Sequence, residues 1–279
     1  MEQSKIICGK THAAAIRNAV KKRVCSGAAP HLAVVLVGEN PASLVYIRNK
    51  QKACEEAGIH FSLHMLPETA TQNEVLQTVD MLNADKNVHG ILVQQPLPSQ
   101  MDKHAVVSRI DPIKDVDCLH PQNLGLVAMG QSTVLPCTPS GIITLLKREN
   151  IEIAGKHAVI VGRSDIVGKP LALMLLNENA TVTICHSKTQ HLQEICRQAD
   201  ILVAAIGQPK FITADYVKCG AVVIDVGINR IDGKLYGDVD FENVIDKVSH
   251  ITPVPGGVGP MTIAMLMENC VKAWELQNV

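Results

Sequence analysis

His157-Ala-Val-Ile-Val-Gly-Arg-Ser-Asp-Ile-Val-Gly-Lys-Pro-Leu-Ala-Leu-Met-Leu-Leu176 decides the architecture. Residues 157–161 are a short apolar run rich in β-branched side chains, the pattern of a buried strand. Gly162 stops that run, a turn of mixed polarity occupies 163–167, and from about Lys169 the apolar positions recur at helical spacing. A strand that feeds a helix through a glycine turn is the first half of a βαβ unit.

Downstream the cycle repeats. A strand is expected at 180–185, then a helix, then apolar strands at 201–206 and 221–226; a helix at 140–148 precedes the whole series. This alternation resembles a Rossmann lobe. Upstream, the run 32–37 ends in Gly38 and feeds a helical stretch over 41–57 closed by Gly58, and a second unit runs through 60–66, 73–82 and 88–94. Between these lobes, Pro96, Pro98, Pro112, Pro121, Pro136 and Pro139 are too dense for long regular elements and suit shaped loops. A final apolar helix is expected over 261–276, with Pro260 in its first turn. The fold class is therefore α/β, with two α/β lobes flanking a cleft. Residues 1–139 form one lobe, the terminal helix 260–279 returns to complete it, and 140–259 form the Rossmann-like lobe.

The whole composition agrees. A length of 279 residues suggests about two domains. Hydrophobic residues at 47% and charged residues at 19% suit a globule with a large core. The net charge of -1 removes the long-range field that non-specific nucleic-acid binders use, so no nucleic-acid partner is expected. No apolar run approaches the ~20 residues needed to span a bilayer, and the basic N-terminal stretch lacks a secretory apolar segment. It reads as a first helix, with no membrane association. Nine cysteines without a Cys-x-x-Cys pair suggest neither a disulfide framework nor a zinc site, and fit a reducing cytoplasm. His60 and His64 share a strand face without a nearby carboxylate, so no metal is expected.

Four stretches carry chemistry. The 162–168 turn sits where phosphates would meet free N–H groups at a helix start. Ser164 occupies the place of the second glycine in the usual dinucleotide fingerprint, so spacing alone fits either a cofactor turn or a merely tight βα turn. The acid that would bind ribose hydroxyls about 20 residues on is also missing, and His186-Ser187-Lys188 stands there instead. Arg163, with Ser187 and Lys188 across from it, would suit the 2′-phosphate of NADP, which a carboxylate would repel; the alternative for Arg163 and Lys188 is solvated surface charge. Tyr46 and Lys50, four apart on a helix, share a face, and Gln94 ends a strand at the carboxyl edge where open α/β sheets bind ligands. Asp115 and Asp117 stand on an irregular loop, where a carboxylate either caps backbone or clamps an amidine-like edge. Last, residues 253–260, Pro-Val-Pro-Gly-Gly-Val-Gly-Pro, alternate stiffness with sterically thin positions and can bring bare backbone against a ligand.

Taken in order, Tyr46-x-x-x-Lys50, Gly90-Ile-Leu-Val-Gln-Gln-Pro-Leu-Pro98, Lys114-Asp-Val-Asp117, Pro136-Cys-Thr-Pro-Ser-Gly141, Val161-Gly-Arg-Ser-x-Ile-Val-Gly168, His186-Ser-Lys-Thr189, Asp225-Val-Gly-Ile-Asn229, Gly237-Asp-Val239 and the stretch 253–262 resemble the bifunctional methylenetetrahydrofolate dehydrogenase and methenyltetrahydrofolate cyclohydrolase family, the FolD type. The resemblance covers nearly the full chain. It implies oxidation of a methylene bridge on tetrahydrofolate with NADP, then hydrolysis of the methenyl product to the formyl form, in one cleft. It also implies polyglutamylated tetrahydrofolate derivatives as substrates and a homodimer built through the cofactor lobe.

Carried over by position, Lys50 would be catalytic, Gln94 its hydrogen-bonding partner, Tyr46 the ring against the folate and Asp117 the pterin clamp. Gly162, Arg163, Ser164, Ser187 and Ile228 would hold the cofactor, and Pro255, Gly256 and Gly257 would form a substrate loop. Two positions depart from the family's usual pattern: Cys118 replaces the common Gly and Gln95 the common Leu. Cys118 is expected to disturb the Asp117 loop. The alternatives are a single-activity relative, an NADP-dependent dehydrogenase for a small acid, and a non-catalytic NADP sensor.

Overall fold

The structure is a computed structural model that describes residues 5–278. Residues 1–4 and 279, the extremes of the expected first lobe, lie outside the described residues. The chain divides into two compact units. One gathers Ala14–Cys137 with residues 263–278; the other gathers residues 5–13 with Thr138–Thr262. Two helices cross the division in sequence, α1 (Gly9–Cys25) near the start and α10 (Val258–Gln277) at the end.

The first unit is built on a parallel three-stranded sheet. Its elements in order are β1 (His31–Val37), α2 (Pro41–Ala57), β2 (His60–Leu66), α3 (Gln72–Ala84) and β3 (Gly90–Val93), and the strand order is β2-β1-β3. The central strand β1 is buried along almost its whole length, which is why its sequence is continuously apolar rather than alternating. The edge strand β2 mixes exposed and half-buried positions. Helix α3 opens with a complete capping box, Thr71 with Glu74, which satisfies two N–H groups reciprocally. The proline-rich stretch holds two short helices, α4 (Lys103–Val107) and α5 (Pro121–Ala128), the second with Pro121 in its first turn. Helix α6 (Cys137–Arg148) starts three residues earlier than its apolar pattern suggests.

The second unit carries a parallel five-stranded sheet, β10-β7-β6-β4-β5. Its elements are β4 (His157–Val161), α7 (Gly168–Asn177), β5 (Thr181–Cys185), α8 (Leu192–Cys196), β6 (Ile201–Ala204), β7 (Val222–Asp225), β8 (Asn229–Ile231), β9 (Lys234–Tyr236), α9 (Phe241–Val244) and β10 (His250–Ile251). From β4 the chain goes outward to β5, then returns to the other side of β4 for β6 and β7. That reversal is the switch point at which open α/β sheets form a crevice beyond their strand ends. The core of this unit includes Val159, Leu202, Val223 and Ile251, all without solvent exposure.

Candidate active site

Helix α2 buries Ser43, Ile47, Lys50, Cys54 and Ala57 along one stripe. Lys50 thus occupies a core position, 9% exposed, where an apolar side chain would be ordinary. Its Nζ donates to Oε1 of Gln94 at 2.9 Å. Gln94 extends the β3 ladder by donating its backbone N–H to Val35 O at 2.9 Å, and its Nε2 donates to Gln95 O at 2.6 Å. The amide is therefore held from both ends with its oxygen toward Lys50. Burial lowers the Lys50 pKa, and the Asp117 carboxylate pulls the other way without cancelling it. Tyr46, one turn earlier on α2, is half-buried, and burial raises its phenol pKa.

Three buried thiols, those of Cys54, Cys137 and Cys270, lie near enough to act on the amine electrostatically. Burial pushes Cys54 up to about 12 and drives the other two well above the ordinary thiol range, with the Asp117 charge adding to the effect on Cys137. Thiols shifted this way stay neutral at ordinary pH.

The loop carrying Asp117 is fixed residue by residue. Lys114 is buried and donates to three carbonyls at the end of α3, Leu82 at 3.1 Å, Asn83 at 2.8 Å and Asp85 at 2.7 Å. It caps a helix C-terminus, which explains a buried lysine in this motif without any catalytic role. Asp115 accepts from His120 N at 2.8 Å and Asn123 Nδ2 at 2.9 Å. Asn269, fully buried on α10, donates to Val116 O at 2.9 Å and Leu135 O at 2.8 Å. Asp117 itself is left half-buried. Of the two acids in the motif, Asp115 is taken up by the backbone and by Asn123, whereas Asp117 is half-buried beside the Cys137 thiol. Cys118 follows in the left-handed region at φ 56°, with its Sγ donating to Val134 O at 3.2 Å.

In the five-stranded unit, a cavity of about 490 Å³ opens beyond the carboxyl ends of β4 and β6. Gly162, Arg163, His186, Ser187, Ala205 and Ile206 are among its lining residues. Gly162 has φ 132°, and a Cβ there would collide with Ala205 O, so only glycine lets the two strand ends approach. Ser164 Oγ accepts from Val167 N at 3.2 Å and Gly168 N at 3.4 Å, shaping the turn rather than lining the cavity. Arg163 and Ser187 are exposed at the mouth. An apolar floor, a glycine turn and a cationic rim without a carboxylate fit a phosphorylated dinucleotide. Ile228 is 45% exposed on the turn after β7. Sequence reasoning missed His186 as a lining residue and missed Ala205 and Ile206 altogether; the end of an apolar strand beside the switch point was the available signal.

The loop 253–257 packs close to the start of α1. Gly256 O accepts from Lys10 N at 3.1 Å, and a Cβ on Gly9 would collide with Gly257 O. Gly256 has φ 113°, and the Val254–Pro255 peptide is cis, as is Gln95–Pro96. Among the described residues, no group of three or more His, Cys, Asp or Glu could hold a metal ion, and no helix is long and apolar enough to cross a membrane.

Residues 7–117 match the family model for the tetrahydrofolate dehydrogenase/cyclohydrolase catalytic domain, and residues 136–278 match that for its NAD(P)-binding domain. The bifunctional protein FolD of Halalkalibacterium halodurans is 56% identical over 96% of this chain and 98% of its own length. The FolD methylenetetrahydrofolate dehydrogenase/cyclohydrolase from Campylobacter jejuni, a crystal structure, superposes with a TM-score of 0.94 at 50% identity over 97% of this chain and 98% of that one. The Trypanosoma brucei enzyme, solved with NADP cofactor and an inhibitor, gives a TM-score of 0.94 at 38% identity over 99% of both chains.

Proposed function

Since the chain belongs to the tetrahydrofolate dehydrogenase/cyclohydrolase family, we propose that it oxidises methylenetetrahydrofolate to methenyltetrahydrofolate with NADP and hydrolyses the product to 10-formyltetrahydrofolate. The observation that carries this reading is the buried Lys50 amine on Gln94 Oε1, beside Asp117. An apolar site with one desolvated amine is suited to moving a proton, which hydrolysis requires and which a water-exposed lysine at neutral pH does poorly.

Asp117 accepts from the amidine-like edge of the pterin, and the Tyr46 ring lies against the folate. The loop Pro255, Gly256 and Gly257 lines the substrate with bare backbone. Gly162, Arg163, Ser164, Ser187 and Ile228 hold the cofactor, with Arg163 and Ser187 on the 2′-phosphate and Ser164 stabilising the turn. When bound, NADP supplies the hydride acceptor. In the hydrolytic step, water adds to the methenyl carbon as Lys50 accepts a proton from it. Collapse of the adduct breaks one carbon–nitrogen bond, and Lys50 returns a proton to the released ring nitrogen, while Gln94 keeps the amine aimed. The second proton lost from water leaves to solvent.

Polyglutamylated tetrahydrofolates as substrates, a cytoplasmic location and a role supplying one-carbon units to purine, methionine and histidine biosynthesis belong to the same reading. So does a homodimer formed through the five-stranded unit. The edge strand β5 and the exposed Ile184 and Leu176 beside it support that assembly; sedimentation showing only monomer at micromolar concentration would refute it. The function is tested by supplying methylenetetrahydrofolate and NADP and following methenyl absorbance as it forms and decays. No reduction of NADP, or a methenyl product that decays no faster than in buffer, overturns the reading.

A further inference from the structure

Asp238 is fully buried, yet backbone N–H groups and an amide, rather than a cation, meet its carboxylate. Oδ2 accepts from Ile206 N at 2.7 Å and Gly207 N at 2.9 Å, and Oδ1 accepts from Asn229 Nδ2 at 2.9 Å. Ile206 lines the cavity beyond β6, and Asn229 directly follows Ile228. A second buried acid backs the first. Asp225 Oδ1 accepts from Asp238 N at 2.8 Å and Gly227 N at 2.9 Å, and its Oδ2 accepts from Val239 N at 2.9 Å. The backbone passes so close that a Cβ at Gly227 would run into Asp238, and one at Gly237 into Asp225.

Two like-charged side chains buried together weaken a core, and an apolar pair of similar size would fill the space at lower electrostatic cost. What they provide is direction. An apolar side chain packs equally well in several backbone arrangements, whereas a carboxylate held by aimed N–H donors is satisfied in one. We propose that Asp238 is the positioning residue of the cofactor site, locking the Ile206–Gly207 floor and the Ile228 turn into the arrangement that receives the dinucleotide. This rests on the function proposed above. Neither carboxylate is a catalytic residue; both act through the backbone they hold.

The test uses the full chain with Asp238→Asn, which keeps the shape but turns an N–H₂ toward either the 206–207 N–H groups or Asn229. The expected result is a KM for NADP raised roughly tenfold or more, a kcat at saturating NADP within about threefold of the parent, and hydrolysis of directly supplied methenyltetrahydrofolate within about twofold. A general loss of structure would instead lower both activities together. Asn229→Ala removes only the outer hydrogen bond and is expected to raise the NADP KM about threefold to tenfold. Unchanged NADP KM in Asp238→Asn, or equal loss of both activities in folded protein, overturns the proposal. If Asp238→Asn yields no folded protein, an unchanged KM in Asn229→Ala overturns it. Failure of the underlying function would show separately, as a parent enzyme that turns over nothing.

Discussion

The Lys50 amine and the Gln94 carbonyl meet at 2.9 Å although the residues are 44 apart in sequence, one on a helix face and the other at a strand end. The contact is directional because the Gln94 amide nitrogen is engaged with Gln95 O. An amine desolvated in this way keeps an acceptor in either protonation state, which a residue that must take up and return a proton needs.

Replacing Lys50 by Met keeps the bulk of the stem and deletes the amine. Hydride transfer from the methylene bridge exchanges no proton with the protein, whereas hydrolysis does. Lys50→Met is therefore expected to lower cyclohydrolase kcat by about a hundred- to ten-thousandfold, the usual range for positioned acid–base catalysis, and to spare most of the dehydrogenase. Methenyl absorbance should accumulate. Equal loss of both activities at saturating substrate would make Lys50 a positioning residue instead.

The pH profile follows from the direction of the Lys50 shift. Burial lowers its pKa, so the neutral amine is reached below the ordinary lysine range, and cyclohydrolase kcat should rise with pH through that point. The Asp117 charge favours the ammonium form and so opposes the shift. Removing that charge with Asp117→Asn should move the limb to lower pH, while the folate KM rises. A limb that stays in place or moves to higher pH would detach Lys50 from the titration.

Arg163 stands at the mouth of the cavity with Ser187. A charge-assisted contact to a 2′-phosphate contributes about 1.5–3 kcal/mol. Arg163→Ala should accordingly reduce the preference for NADP over NAD, as kcat/KM ratios, by roughly ten- to a hundredfold. An unchanged ratio would assign the phosphate to other groups.

How much of this was legible in the sequence depended on the range of the interaction. The 157–176 stretch declared itself because strand, turn and helix are local. The hairpin β8–β9 was missed although its Asp232-Gly233 turn, with φ 48° and 78°, is a sequence signal for such a turn. Helices α4 and α5 were missed because five and eight residues carry too few turns to show a period. The Tyr46–Lys50 face could be read from spacing alone, but the partnership of Lys50 with Gln94 came only through family resemblance. Asn269 gave no signal at all, since its partners Val116 and Leu135 are 153 and 134 residues away. Lys114 stood in a motif beside Asp117, and only its three carbonyl contacts reveal it as a helix cap.

Cys118 explains a glycine by replacing it. Its φ of 56° places a side chain in the left-handed region, where an L-residue costs roughly 1–2 kcal/mol, and the resemblance gives glycine as the common residue at this position. The thiol offsets part of that cost: it is fully buried and donates to Val134 O at 3.2 Å. Cys118→Ala loses the sulfur and its hydrogen bond but keeps the strained Cβ. Cys118→Gly loses the same contacts and relieves the strain, at the expense of greater freedom in the unfolded chain. The glycine variant should therefore be the more stable of the two by about 1 kcal/mol, or roughly 2–4 °C in Tm, the reverse of the usual order for Ala and Gly. Because the backbone conformation is kept, Asp117 stays in place, and the folate KM of the glycine variant should lie within about twofold of the parent. Thermal unfolding of both variants decides the first point: an alanine variant more stable than the glycine one would mean that residue 118 is not left-handed in the folded protein.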